Sequence, residues 1–170
     1  MTKAKKKDPE IVLLEGIVKK DKTAFEQLYQ LTSQSVFAYL FRMLQNREAA
    51  EDIHVEVFTQ VWKTAQNFKG RSKVKTWIFG IARNMALNEM RREKIRRTEE
   101  LNDRHKDNKT TGEINGYTQS QHIQTAMEKI SVKHREILDL VFFHELSYAE
   151  VAGLLEIPEN TVKTRVYYAK

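Results

Sequence analysis

No cysteine occurs among the 170 residues, which excludes a disulfide framework and any thiolate metal site. That absence fits a reducing compartment, and a cytoplasmic location is expected. Prolines number only 2 and glycines only 6, leaving long stretches to follow helical periodicity, so an all-α fold is expected. No apolar run approaches the roughly 20 residues of a membrane span, and no membrane insertion is expected. Lys3, Lys5, Lys6 and Lys7 are followed by Asp8-Pro9-Glu10 rather than by an apolar stretch, which argues against a secretory signal. Signs of catalysis are equally thin. His54, His105, His122, His134 and His144 are scattered without metal-ligand spacing. Neither a phosphate-cradling glycine–lysine loop nor a serine nucleophile elbow is present, and the paired Glu99-Glu100 lies in polar sequence. No catalytic site, metal or cofactor is expected, and the chain does not read as an enzyme.

What the chain does have is cationic charge, +6 overall, which favours polyanionic partners. Its organisation suggests two helical domains on a tether. Residues 1–8 form a lysine-rich tail. Helical spacing then runs through Ile11, Leu14 and Val18, breaks at Lys20-Asp21-Lys22, and resumes over about 23–45. That second helix is expected to bury Phe25, Leu28, Tyr29, Val36, Tyr39, Leu40 and Met43. A third is expected from Arg47 to Ala65 and a fourth from Thr76 to Arg97. Residues 98–119 hold Leu101, Ile114 and Tyr117 as their only large apolar residues, and so read as a flexible linker. Helical pattern returns with Ile123, Ala126, Met127 and Ile130. Ser131 then stands ready to cap a helix holding Ile137, Leu138 and Val141. The domains expected are therefore 9–97 and 120–170.

The C-terminal segment is the most specific. Ser147 followed by Glu150 forms a capping box, after which Val151, Leu154 and Leu155 share a helical face. Glu156-Ile157-Pro158 makes a turn, with Pro158 suited to the first turn of a second helix. That helix would bury Val162 and Val166 and expose Asn160, Lys163, Thr164, Arg165, Tyr167 and Tyr168. The pattern is a helix-turn-helix whose outer side chains suit base edges and phosphates in a major groove. The plainer alternative is a helical hairpin with a solvated face. Glu156 occupies a turn position where positive φ favours glycine, at a cost on the order of 1 kcal/mol for other residues.

Two further surfaces emerge on helical wheels. Asp52, Glu56 and Gln60 line up at i, i+4 and i+8, beside an apolar arc of Ile53, Val57, Phe58, Val61 and Trp62. This stripe is either a solvated face or a docking face for a basic helix. In the fourth helix, Ile78, Ile81, Ala82, Met85 and Ala86 point inward, while Trp77, Asn84, Asn88 and Arg91 share another face. An aromatic, two amides and an arginine suit stacking, base-edge reading and phosphate contact. Phe68, Lys69, Gly70, Arg71, Lys73 and Lys75 precede that helix, and Arg91 to Arg97 adds five more cations. Such a loop can cradle a strand with a base turned out of the stack. Trp77 and Phe68 are equally suited to core packing.

Residues 50–92, including AEDIHVEVFTQVW and FKGRSKVKTWIFGIARN, resemble region 2 of the extracytoplasmic-function sigma factors of the sigma-70 family. Residues 134–170, HREILDLVFFHELSYAEVAGLLEIPENTVKTRVYYAK, resemble region 4 of the same group. The resemblance implies a promoter-specificity subunit that binds core RNA polymerase, reads −10 and −35 promoter DNA and assists melting. It assigns Asp52, Glu56 and Gln60 to the β′ clamp coiled coil, with Val55 standing where the family has glutamine. It assigns Phe68 and Asn84 to a flipped −10 base, supported by Trp77. Lys163, Thr164, Tyr167 and Tyr168 fall to the −35 element, with Tyr168 where arginine is common, and region 4 would also touch the β flap. Related chains continue the recognition helix past the position of Lys170, so either the sequence is a piece of a longer chain or region 4 is clipped. Relatives are often held by an anti-sigma factor, a possible further partner. The rival reading is a stand-alone helix-turn-helix regulator whose N-terminal domain dimerises or senses a ligand, with a palindromic site and no need for polymerase.

Overall fold

The computed structural model describes residues 8–103 and 130–169. Among the described residues every regular element is helical. Helix α1 spans Pro9–Val18, α2 Lys22–Leu44 and α3 Arg47–Thr64. A single tight turn follows at Ala65–Asn67, then α4, Val74–Asp103. The C-terminal unit comprises α5, Val132–Leu138, which opens into a wider π turn at Asp139–Phe143, then α6, Tyr148–Leu155, and α7, Glu159–Ala169. The lysine tail through Lys7, the expected linker from residue 104 onward and the pattern at Ile123, Ala126 and Met127 lie outside the described residues.

Local chemistry starts these helices. Asp8 accepts from the Glu10 N–H at 3.0 Å, with Pro9 behind it in the first turn. The Asp21 carboxylate accepts from Thr23 and Ala24, and Asn46 accepts from the Ala49 N–H. Lys20 and Gln45 take left-handed φ values of 66° and 52°, and the chain reverses at each. Gly16 lets α1 approach α2 closely, since a Cβ there would lie 2.7 Å from the Ala24 Cβ.

α1 to α4 bury one core, with Leu28, Val36, Tyr39 and Leu40 of α2 against Val57 and Val61 of α3 and Ile78, Ala82 and Ala86 of α4. Two expected core residues depart from this. Phe25 is half-buried and Tyr29 is 39 % exposed. Both sit on the rim, in an edge-to-face aromatic group with Phe58 and Trp62. Phe79, absent from the wheel's inward face, is fully buried.

The expected helix end at Arg97 is also corrected, because α4 continues through Asp103. Thr98 Oγ1 donates to the Lys94 carbonyl, and Arg97 and Arg96 pair with Glu93 at 2.8 and 2.7 Å. Glutamate, leucine and arginine are good helix formers, and the i, i+4 pairs add a few tenths of a kcal/mol each. Low apolar content therefore did not stop the helix there.

In the C-terminal unit Ile137, Leu140, Leu146, Val151, Val162 and Val166 are buried. Ser131 stands at the N-cap position of α5, although its hydroxyl meets His134 Nδ1 at 2.7 Å rather than a backbone N–H. This unit packs directly on the N-terminal one, chiefly on α2 and α4. Leu154, expected on the buried face of α6, is half-buried and faces Gly80 of α4.

Candidate nucleic-acid interface

The turn between α6 and α7 forms as the sequence implies. Ser147 Oγ accepts from the Glu150 N–H at 3.3 Å, and Glu150 Oε2 accepts from the Ser147 N–H at 2.8 Å. Burial pushes the Glu150 carboxyl up, but the Ser147 bonds and Lys73 outweigh it and hold it below the usual carboxylate range. Glu156 takes φ 55°, the left-handed conformation expected at that turn. Pro158 stands just before α7 rather than inside its first turn, and its carbonyl accepts from Thr161 and Val162.

On α7, Val162 and Val166 are buried while Asn160, Lys163, Thr164, Tyr167 and Tyr168 are exposed. The two tyrosines are each 76 % exposed, too open to serve the core. Arg165 departs from expectation and is half-buried, because it lies at the edge of the Val162/Val166 face. Lys163 pairs with Glu159 at 3.0 Å and Thr164 Oγ1 donates to the Asn160 carbonyl. An exposed pair of this kind contributes about 0–1 kcal/mol and is readily exchanged for a phosphate.

The second surface runs along α4 and the loop before it. Lys69, Arg71 and Lys73 are exposed, and Gly70 provides the loop's φ of 68°. Trp77 is half-buried and meets Phe68 edge-on at 5.6 Å, so both aromatics pack as well as line the surface. Asn84, Asn88 and Arg91 are exposed on the same face, with Arg91 donating to Asn88 at 3.3 Å. Lys75 is the exception. It is half-buried, its Nζ donates to the His144 carbonyl at 3.4 Å, and it lies 5.9 Å over the Phe79 ring. The cations after Arg91 stay exposed, with Arg92, Arg96 and Arg97 in surface pairs with Glu89 and Glu93.

On α3, Asp52 and Glu56 are exposed and Gln60 is half-buried, with Val55 66 % exposed beside them. The stripe is continuous on the helix surface. His54, between Asp52 and Glu56 in sequence but on the opposite face of α3, is buried among Tyr29, Phe37 and Phe58, and meets Ser33 Oγ at 3.0 Å. Burial lowers its pKa below the ordinary 6.5, with a bond to the Ser33 carbonyl partly opposing that.

Between the two units lies a polar cluster that sequence reasoning missed. Arg83 Nε donates to Glu136 Oε1 at 2.7 Å, and the Tyr39 hydroxyl donates to the same oxygen at 3.0 Å. Burial and the Glu136 carboxylate raise the Tyr39 pKa well above 10, keeping it a donor. Arg42 donates to Asp139, and His144 Nε2 lies 3.2 Å from both Arg42 Nη2 and Asp139 Oδ2. Phe79 stacks obliquely on His144 at 4.6 Å. The one local hint was charge within an otherwise apolar stretch, at Glu136, Asp139 and His144 of HREILDLVFFHE.

A cleft of about 720 Å³ separates the units. Arg71, Trp77 and Asn84 line one wall, and Glu150, Leu154 and Glu156 the other. Among the described residues no group of acidic, histidine or cysteine side chains could hold a metal ion, and no helix is long and apolar enough to cross a membrane.

Two helical units, one carrying a helix-turn-helix and the other a cationic, aromatic helix face, define an all-α protein with a DNA-recognition element. Sigma-70 region 2 matches residues 28–96 and Sigma-70, region 4 matches residues 120–170, together more than two thirds of the chain. The chain belongs to the sigma-70 family, in its extracytoplasmic-function group, and is a promoter-directing sigma factor. It is 27% identical over 156 residues to RNA polymerase sigma factor YlaC of Bacillus subtilis, covering 89% of this chain and 90% of that one. It is 27% identical over 173 residues to ECF RNA polymerase sigma factor SigW of the same organism, covering 91% and 89%. The fold is shared with CnrH, solved in complex with the cytosolic domain of CnrY, at TM-score 0.72 and 17% identity over 95% of this chain and 92% of that one. It is shared as well with the sigma factor RpoE, solved with the anti-sigma factor NepR from Bartonella quintana, at TM-score 0.70 and 23% identity over 85% and 91%. Sigma factors as a family are not enzymes.

Proposed function

We propose that this chain binds core RNA polymerase in the cytoplasm and directs it to promoters with −10 and −35 elements through two separate readers. Region 2, over 9–97, reads the −10 element and contacts core; region 4, over 120–170, reads the −35 element; residues 98–119 connect them. The observation that carries the reading is the continuity of exposed Lys69, Arg71, Asn84, Asn88 and Arg91 on one face, with Phe68 and Trp77 beneath it. Cations there meet phosphates, amides reach base edges, and the aromatic pair gives a flipped base a stacking surface. Lys73 adds charge from the same loop, and Lys75 from the first turn of α4.

On α7, Lys163, Thr164, Tyr167 and Tyr168 read base edges in the major groove, with Asn160 at the helix start. Arg165 meets a phosphate from the rim of the domain. Asp52, Glu56 and Gln60 dock on the β′ clamp coiled coil, and region 4 meets the β flap. Exposed carboxylates on a rigid helix suit a basic partner, and neighbouring Val55 adds apolar contact. An anti-sigma factor is a fitting further partner, since one structural neighbour was solved with an anti-sigma factor and another with the cytosolic domain of CnrY. Mapping transcript starts on genomic fragments with core polymerase, with and without the chain, tests the proposal. New, discrete start sites are expected. Starts identical to core alone, with no complex between chain and core, refute it.

A further inference from the structure

We propose that Glu159 is a further specificity residue of the −35 reader, and that it and Lys163 together read a single base pair. This extends the −35 assignment of α7 above and rests on it. Glu159 is the first residue of α7 and the one acidic residue in that helix. Its side chain is exposed, and Oε1 meets Lys163 Nζ at 3.0 Å, one turn further on. Glu159, Lys163 and Tyr167 follow at i, i+4 and i+8 and are all exposed, so they form one outward ridge. The residues at the start of a recognition helix are the ones that reach base edges. A carboxylate in the first turn also suits the helix dipole, but that role needs only charge near the helix end. The contact with Lys163 adds something else: an acceptor and a donor held side by side at the end of the helix that enters the groove.

Such a pair has a defined complement. In the major groove a G·C pair presents the guanine N7 and O6 acceptors, then the cytosine N4 donor. O6 and N4 bond to one another within the base pair and so stand about 3 Å apart. The Lys163 ammonium fits O6 and N7, and the Glu159 carboxylate fits N4. A T·A pair in the same orientation offers the thymine O4 acceptor and the adenine N6 donor. It also sets adenine N7 against the carboxylate and a methyl group against the ammonium, so it is the second choice. C·G and A·T set donor against donor and acceptor against acceptor. The order at this position is therefore G·C, then T·A, then both reversed pairs. Away from an N4 donor the carboxylate meets only acceptors and phosphates, so Glu159 selects chiefly by penalising wrong sites. Little is lost when the two side chains exchange each other for DNA, because water screens an exposed pair.

Holoenzyme binding to promoters carrying all four base pairs at each −35 position tests this. With the natural chain one position should show that order, and its absence from every position overturns the proposal. Glu159→Ala should reduce the preference for G·C over C·G at that position by at least about 5-fold and leave the other positions as they were. The disfavoured sequences should bind more tightly, with a salt slope steeper by about one, because Lys163 is freed for a phosphate. Lys163→Ala should lose preference at the same position, and the double variant should lose less than the product of the two single losses. Each preference is a ratio within one variant, so any loss of helix stability cancels from it. Glu159→Ala that leaves every preference intact, or that acts at a different position from Lys163→Ala, overturns the proposal while the −35 reading stands. Binding that falls equally on all sequences also overturns it and leaves Glu159 as a helix-end charge only. If Lys163→Ala and Thr164→Ala leave every preference unchanged as well, the −35 reading itself has failed.

Discussion

Asn84→Ala and Phe68→Ala separate readout from packing. Asn84 is exposed, and among the described residues it has no hydrogen-bond partner. Its removal therefore leaves stability within about 0.5 kcal/mol. If it contacts a −10 base edge, its loss costs about 1–3 kcal/mol of discrimination, a factor of roughly 5 to 150 in opening. Phe68 is half-buried against Trp77, with ring centroids 5.6 Å apart. Half the transfer free energy of a phenylalanine plus the edge-to-face term comes to about 2 kcal/mol, so Phe68→Ala lowers stability as well as opening. Two assays run in parallel distinguish the cases: urea unfolding of the free chain, and permanganate reactivity of −10 thymines with holoenzyme. Asn84→Ala should keep the unfolding midpoint and lose reactivity, while Phe68→Ala should lose both. Normal −10 reactivity with Asn84→Ala would show that this face does not read the promoter.

The remaining predictions concern the turn, the core and the recognition helix. Glu156→Gly removes left-handed strain at φ 55° against a smaller gain in unfolded-chain freedom, so it should stabilise by up to about 1 kcal/mol in urea titrations; a loss of stability refutes the turn argument. His54 is kept neutral by burial, so the unfolded chain binds its proton first as pH falls. Stability should therefore decline below pH 6.5, by at most about 1.4 kcal/mol per unit, and His54→Gln should remove that component; identical pH profiles refute it. Lys163→Ala and Thr164→Ala within holoenzyme should change preference at individual −35 positions by roughly 1–3 kcal/mol, whereas Arg165→Ala should weaken all sequences alike and reduce the salt slope by about one. An unaltered −35 preference profile in the first two would remove α7 as the reader.

Much of this molecule was determined by short stretches of sequence. Ser147 and Glu150 form both bonds of the capping box, and Glu156 takes the positive φ that its turn position requires. The Val162/Val166 spacing leaves Lys163, Thr164, Tyr167 and Tyr168 outside, as a helical period dictates. These features depend on residues three or four apart, so they are written locally. Even the errors there were local: α4 outran Arg97 because charged helix formers sustain a helix without a core.

The state of the −10 surface was decided by tertiary structure. Lys75 sits in the same basic run as Lys69 and Arg71, yet it alone is drawn to the His144 carbonyl. Tyr39 and Glu136, like Arg42 and Asp139, stand 97 positions apart. No periodicity selects one carboxylate over another at that separation. Only the docking of α5 and α6 on α2 and α4 determines which charges leave water, and buried charge requires a partner where surface charge does not.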